Sequence, residues 1–531
     1  MLINLIVFSG ALTLAEKNVE VTYQGFGAQE TVGGSFHKIR VGEKGFVVDV
    51  GSFYGDEGQN YPLPEKLDID IIKAVIITHA HADHIGRLPL LLYEGYEGPI
   101  YMTSVTRDLL KISLFSSLRY MDFGEEEFYY SRHNKSEVKP VYLERFSYGK
   151  YEVAPENRIY IRARREDLEE KGFYLSQSTV KHLENELLSM LDAQIVTVGF
   201  NEKIGLKEDV SFELIYTSHI PGSSMVKLYI DEKNILFSGD LGSDNNPFLL
   251  NNPKVKDDFE FLFLEGTYGT EISKRCSQKE REEFREYVGQ ATKAKEKVFI
   301  PAFALDRTQQ VIYEIKQGMD EGIIPRDTVV KVYSPTSKQF SKLYNYYSQK
   351  PAKYGDYFSD NMFGDIFNIP NLIYNPRDEN NLYDLTIKPG EIAIMTSGMM
   401  EYGFALEIAE NYIEKENSHF VSVSYQDPEQ LGGKIFRGEE KVTIGDKDYE
   451  VNASIFNSYG FSSHADIKQI IDMFGKTNPE KIFLVHLDEY VGEELKEFYE
   501  REFPETKILF PKFGEEYNLF WISCPADKAI K

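Results

Sequence analysis

The segment THAHADHIGRLP (78–89) constrains this chain more than any other part of it. It packs His79, His81, Asp83 and His84 into six residues and directly continues the apolar run KAVIIT (73–78). Neutral imidazoles and a carboxylate suit zinc, and a loop leaving a buried strand can aim them at one point. Asp83 and His84 project differently from His79 and His81, so a single loop can serve two metals. A solvated His-rich turn is the bland alternative, and the buried strand before it argues against that. The only cysteines, Cys276 and Cys524, are far apart in the sequence. A disulfide framework is therefore not expected, and the metal site has to come from His, Asp and Glu.

Two metals need more ligands, and the chain offers them where apolar runs stop. His219 sits in YTSHIPGSSM, before a Pro-Gly pair suited to a tight loop. Asp240 ends NILFSGD and is placed to bridge two cations, and His486 ends KIFLVH. Taken singly, a histidine after a strand is more often structural than a ligand. Taken together, these three complete a coherent set with the 78–89 loop.

The wider pattern is a short apolar run, a loop and an amphipathic helix. KAVIIT, NILFSGD, FEFLFLEG (259–266), KVFIPAF (297–303), VVKVYS (329–334), EIAIMTSG (391–398) and KIFLVH (481–486) read as buried strands. Between Arg307 and Gly318, Val311, Ile312 and Ile315 fall on one helical face. Strands alternating with helices predict an α/β protein, and 531 residues exceed one ordinary core, which predicts two packed units. The charged, tyrosine-rich region of about 120–206 reads as an insertion. Its basic run RIYIRARRE (158–166) is expected to be a solvated strand face rather than a phosphate contact. The apolar start, Met1–Ala15, reads as an extra strand pair turning at Ser9-Gly10, with a signal peptide as the alternative. Location is accordingly expected to be cytoplasmic, or exported in the second case.

A formal net charge of −26 repels polyanions and weighs against a nuclease. Bound cations and a local groove can outweigh it, because screening confines such fields to about 8 Å in physiological salt. No run approaches the ~20 apolar residues of a membrane helix, so no membrane partner is expected. Assembly into a homo-oligomer is left open.

HAHADH, a later isolated His, the SGD strand end and a distal His resemble the metallo-β-lactamase superfamily. EGTYG (265–269), PAFALDRTQQ (301–310), TSGMMEYG (396–403), YQDPEQLGG (425–433), FSSHAD (461–466) and VHLDE (485–489) resemble its β-CASP branch, which includes ribonuclease J and the cleavage subunit of the mRNA 3′-end machinery. The resemblance covers nearly the whole chain from about Val19, apart from the insertion. It implies an αββα sandwich with an inserted α/β cap, as a hydrolase domain at about 17–270 and 456–531 and a β-CASP domain at about 271–455. It implies one zinc on His79, His81 and His219, a second on Asp83, His84 and His486, and Asp240 between them. Asp49, ending GFVVDVG, would support the ligands from behind. Glu265 and His464 would be the acidic and histidine motifs beside the leaving group. Three positions depart from the branch, which usually has Ser at 266, Gly at 306 and Gly at 487, where this chain has Gly266, Asp306 and Leu487.

The function expected is zinc-dependent cleavage of phosphodiester bonds, in RNA processing or decay, with two Zn2+ ions as cofactor and RNA as substrate. Asp83, Glu265 and His464 are the catalytic candidates, His464 as the acid oriented by Glu265. Its bland reading is a polar residue capping the helix ADIKQIIDMF, a role that Ser462 or Ser463 would also fill. Ser397 and Gly398, at a turn after a strand, are candidate phosphate contacts, and so is Arg307, whose alternative is a surface salt bridge. Rival readings are a hydrolase of a small ester, thioester or lactone on the same fold, and a non-catalytic RNA-processing scaffold.

Overall fold

Among the described residues, two seven-stranded sheets and a six-stranded sheet organise the molecule. The computed structural model describes residues 16–53, 67–93, 95–117, 127–132, 158–163, 191–207, 210–244, 246–270 and 277–525. Met1–Ala15, Cys276 and most of the 120–206 region lie outside the described residues.

The first sheet runs in the order Glu516–Pro525, Glu16–Gly25, His37–Val41, Lys44–Val48, Ile72–Ile76, Ile100–Met102 and Ile195–Thr197. Its first four strands pair antiparallel and the remainder parallel. The second runs Lys507–Leu509, Lys481–Val485, Phe261–Glu265, Lys233–Phe237, Ser224–Ile230, Val210–Tyr216 and Ile204–Gly205. The C-terminal segment therefore supplies strands to both sheets. The predicted strands at 73–78, 234–240, 259–266 and 481–486 all lie here, and their apolar character has a plain cause. Both faces of each strand are covered, so no polar alternation survives.

The two sheets pack face to face through Tyr23, Ile39, Phe46, Val48 and Ile76 on one side and Phe212, Phe237, Phe263, Phe483 and Val485 on the other. Phe263 stacks on Phe237 at 4.4 Å and on Phe483 at 4.6 Å. Outside the first sheet, Val105, Leu109 and Leu114 of the helix Ser104–Ser117 cover Val75, Ile77 and Ile100. Outside the second, the helices Ile467–Phe474 and Glu489–Glu502 cover Leu262, Leu264, Ile482 and Leu484. Helix, sheet, sheet, helix is the αββα sandwich.

The third sheet, Leu372–Tyr374, Val330–Tyr333, Ile392–Met395, Lys297–Pro301, Ser418–Ser422 and Ser454–Asn457, is parallel throughout. The helix Arg307–Asp320 buries Val311, Ile312 and Ile315 against it, the face its periodicity predicts. Tyr344 and Tyr347 of the helix Pro335–Ser348 join the core outside the first sheet, so this α/β unit is packed onto the sandwich. The end of the 120–206 region is not an appendage: Ile195–Thr197 and Ile204–Gly205 are edge strands of the two main sheets. Earlier in it, Arg158–Ala163 pairs antiparallel with Glu127–Arg132. Among the described residues, no helix is long and apolar enough to cross a membrane.

Candidate metal centre

Most of the chemistry-bearing residues sit where strands of the two facing sheets stop. Asp49 follows Lys44–Val48, the His79–His84 loop follows Ile72–Ile76, Asp240 follows Lys233–Phe237, Glu265 closes Phe261–Glu265 and His486 follows Lys481–Val485. Parallel neighbours put their C-terminal ends on one edge, which is where α/β sheets gather ligands. Two glycines let the loops touch. A Cβ on Gly51 would lie 1.5 Å from the carbonyl oxygen of Asp83, and one on Gly242 would lie 1.9 Å from the carbonyl carbon of Ser218.

Two sets of side chains converge, His79, His81, His219 and Asp240 in one and Asp83, His84, Asp240 and His486 in the other, and within each set the ligand atoms lie within 4.8 Å of one another. In the first, His81 Nδ1 is 3.2 Å from His79 Nε2 and 3.0 Å from His219 Nε2. Asp240 Oδ2 is 3.5 Å from His79 Nε2 and 3.4 Å from His219 Nε2. In the second, Asp240 Oδ1 is 3.2 Å from His84 Nε2 and 3.6 Å from His486 Nε2, and Asp83 Oδ2 is 3.4 Å from His486 Nε2. Donors about 2.0 Å from a tetrahedral zinc are separated by about 3.3 Å, so both sets have the right size. Asp240 turns one oxygen to each.

The outer nitrogens fix which inner ones carry lone pairs. His84 Nδ1 donates to Asp49 Oδ2 at 2.7 Å, and His219 Nδ1 donates to the Ser463 carbonyl at 3.0 Å. Thr78 Oγ1 donates to Asp49 Oδ2, which leaves it accepting from His79 Nδ1 at 3.0 Å. Thr267 Oγ1 donates to Glu265 Oε2 and likewise accepts from His486 Nδ1 at 2.9 Å. With Nδ1 protonated, the neutral form of each of these four rings presents Nε2 as a ligand atom. Buried atoms left over point the same way: among the described residues, Asp83 Oδ1, His84 Nε2 and Asp240 Oδ1 find no hydrogen-bond partner. An unsatisfied buried polar atom costs about 1–3 kcal/mol, and a cation is the partner this donor set fits.

Burial, with His84 second, holds His79 well below the ordinary imidazole range, and burial likewise brings His81 down to about 4. Burial and then His464 do the same to His219. The other set behaves oppositely. Burial opposes charge on His486, but Asp240 and the hydrogen bond to Asp83 lift it to about 9. His84 is lifted against burial by Asp240, Asp49 and Asp83. The carboxylates therefore concentrate on the second set, where protons stand in for positive charge that a metal would bring.

Beside this centre, His464 Nδ1 lies 3.2 Å from Glu265 Oε2, and its Nε2 reaches within 4.0 Å of Asp240 Oδ2. Glu265 is buried and also accepts from the Leu241 N–H at 2.6 Å. Neither His464, Ser462 nor Ser463 caps the following helix. Asp466 does, in a capping box with Gln469, because it stands immediately before the first helical residue. Arg307 is buried rather than a surface residue, donating to the Val423 carbonyl and to Ser463 Oγ. Ser397 and Gly398 follow the strand Ile392–Met395 of the third sheet. The Glu401 N–H donates to Ser397 Oγ and the Gln426 amide donates to the Gly398 carbonyl. Sequence reasoning missed Thr78 and Thr267, the hydroxyls that orient His79 and His486. Thr78 immediately before His79 and Thr267 two residues after Glu265 were the available signal.

Residues 37–262 match the metallo-beta-lactamase superfamily, 308–435 the Beta-Casp domain and 448–507 the Zn-dependent metallo-hydrolase RNA specificity domain. The chain belongs to the β-CASP branch of the metallo-β-lactamase superfamily. As a β-CASP protein it is 26% identical to a transcription termination factor, FttA, of Methanothermobacter thermautotrophicus, over 82% of this chain and 62% of that one. It is 26% identical to Ribonuclease TTHA0252 of Thermus thermophilus, over 87% of this chain and 92% of the ribonuclease. Integrator complex subunit 11 of Danio rerio is 24% identical, over 92% and 72%. The chain thus spans less than two thirds of the termination factor's length.

Proposed function

We propose that this β-CASP protein is a two-zinc phosphodiesterase that cleaves RNA in processing or decay. The observation that carries the reading is a single carboxylate, Asp240, shared by two complete ligand sets with the Glu265–His464 pair alongside. One site would use His79, His81 and His219, the other Asp83, His84 and His486. When bound, two divalent cations supply a nucleophile at neutral pH and offset charge developing on phosphoryl oxygens. The chain's own residues do the rest. Asp49 holds His84 in register, and Thr267 ties His486 to Glu265. His464, fixed by Glu265, stands ready to give its Nε2 proton to the departing oxygen. The hydrolase domain would comprise about 17–270 and 456–531, with 271–455 as the cap.

Three variants test the roles. His81→Ala should lose metal and activity together, and Asp240→Asn should cripple turnover. His464→Ala should retain metal while cleavage slows by roughly 10²–10⁴. The checks are elemental analysis and the fragment lengths of end-labelled RNA, with and without chelator. Equal metal loss in all three variants overturns the assignment.

A further inference from the structure

Acids outnumber bases 85 to 59 in this chain, yet from Thr328 to Gly355 it carries five lysines and neither Asp nor Glu. One of the five, Lys331, is buried on its strand and paired with Glu391 at 2.7 Å. The other four belong to the helix Pro335–Ser348 and to the turn and short helix, Pro351–Tyr354, that follow it. Lys338, Lys342 and Tyr346 recur at four-residue steps and so share one helical face, and Lys350 continues the spacing past the helix end. Phe340, Tyr344 and Tyr347 of the same helix are buried in the core outside the first sheet. All four lysines are exposed, and so is Tyr346 at 41%.

Exposed lysines are ordinarily just a solvated face, and on other helices of this chain a carboxylate one turn on accompanies them, as in Lys279–Glu283 and Lys316–Asp320. This face has no such companions. Among the described residues none of the four lysines forms an ion pair. Lys350 lies over the Tyr346 ring at 3.6 Å and Lys353 over the Tyr354 ring at 5.0 Å. Asp108, on the neighbouring helix Ser104–Ser117, is held by Arg107 at 2.7 Å and by the Tyr347 hydroxyl at 3.3 Å. The helix also begins close to the scaffold of the metal centre. Ser337 Oγ donates to Thr308 Oγ1 and the Gln309 amide donates to the Ser337 carbonyl, directly after Arg307, which holds Ser463.

We propose that this face is a second RNA-binding surface, separate from the metal centre, on which Lys338, Lys342, Lys350 and Lys353 hold the phosphate backbone of strand lying beyond the bond being cut. This rests on the phosphodiesterase reading and adds to it where the rest of a long substrate is held. A polyanion is repelled by a body of net charge −26. Screening confines that repulsion to about 8 Å, so the cations on the contact face decide. A row of ammonium groups without carboxylate partners suits a repeating row of phosphates, and each contact releases counterions. Lysine acts there as a point charge, so the hold carries no sequence preference.

The test measures poly(U) binding by the full chain in chelator across a salt series, and KM of the zinc-loaded chain for long and short RNA. One variant carries Lys338→Gln, Lys342→Gln, Lys350→Gln and Lys353→Gln. A charge-matched control carries Lys388→Gln, Lys447→Gln, Lys468→Gln and Lys476→Gln, exposed lysines elsewhere. Losing four charges takes either from −26 to −30, so only position differs. The face variant should bind poly(U) roughly 10- to 100-fold more weakly than the control. Its slope of log affinity against log salt should be flatter by roughly 2 to 3, at about 0.7 per phosphate contact. KM should rise for long RNA and stay at the wild-type value for short RNA, with kcat unchanged. Arginine at all four positions should restore binding. Should the four-fold variant melt early, Lys338→Gln with Lys342→Gln carries the same test at half the change in slope. A face variant that matches the control in affinity and slope while melting like wild type would overturn the surface. Lysine-dependent binding of poly(Glu) as tight as that of poly(U) would also overturn it, assigning the face to an acidic protein. Failure of the zinc-loaded wild type to cut any RNA is a different result: it sinks the proposed function, and poly(U) binding still decides the face.

Discussion

At the scale of single residues, two departures from the branch pattern explain each other. Position 266 has no side chain, and a Cβ there would sit 2.6 Å from Leu495 Cδ2 and 3.3 Å from Leu487 Cβ. Leu487, the other departure, is fully buried in the core outside the second sheet. Volume moved from one position to its neighbour, next to His486 and Glu265. Gly266→Ser should therefore overpack and cost about 1–3 kcal/mol, and Leu487→Ala should leave a cavity and cost about 2–5 kcal/mol. Combined, the two should cost less than their sum by at least about 0.5 kcal/mol. Urea unfolding of the four proteins gives the coupling, and strict additivity would show that the sites do not share space. Each departure was legible in the sequence; that they touch was not, because 266 and 487 meet only when their strands pair.

Asp306 belongs to the scale of elements, because it governs how one helix begins. It precedes the helix Arg307–Asp320 with φ +64°, a left-handed conformation that explains why glycine is usual there, and its side chain makes no cap bond. The carboxylate instead faces inward, accepting from the Tyr344 hydroxyl at 2.8 Å and from the Gln310 amide. Its neighbour Arg307 holds Ser463, whose carbonyl orients His219. The start of a third-sheet helix thereby fixes a residue of the metal centre. Asp306→Ala removes the acceptor and keeps the backbone cost, while Asp306→Gly removes the acceptor and relieves that cost. The alanine variant should be the less stable by about 1 kcal/mol, with both below wild type, as read by denaturant midpoints. The helix itself was readable from Val311, Ile312 and Ile315. The inward turn of Asp306 was not, since periodicity carries no information about φ.

For the whole molecule, the join between the two sheets sets a pH limit. His37 is buried there, bonded to the Tyr23 hydroxyl at 3.0 Å and to Ser35 Oγ at 3.1 Å. Burial, with His84 and His486 behind it, lowers its pKa to about 3. An unfolded histidine takes a proton near pH 6.5, so between about 6.5 and 3 the unfolded chain binds the extra proton. Stability contributed by the neutral ring is complete above 6.5 and is lost as pH falls, by up to about 5 kcal/mol. His37→Gln should flatten this acid limb relative to wild type in urea titrations run with chelator; an unchanged slope would refute the assignment.

The sequence by itself determined the donor types and their address. His79, His81, Asp83 and His84 are local neighbours, and His219, Asp240 and His486 follow apolar runs, both properties of short stretches of chain. Buried strands also announce themselves, because covered faces require apolar residues over four or five positions. Only the tertiary structure decided how Asp240 divides its oxygens, which hydroxyls orient the imidazoles, and that Arg307 turns inward to Ser463. These depend on contacts between segments as many as several hundred residues apart, and such contacts arise from packing two sheets and a cap together, which no local pattern encodes.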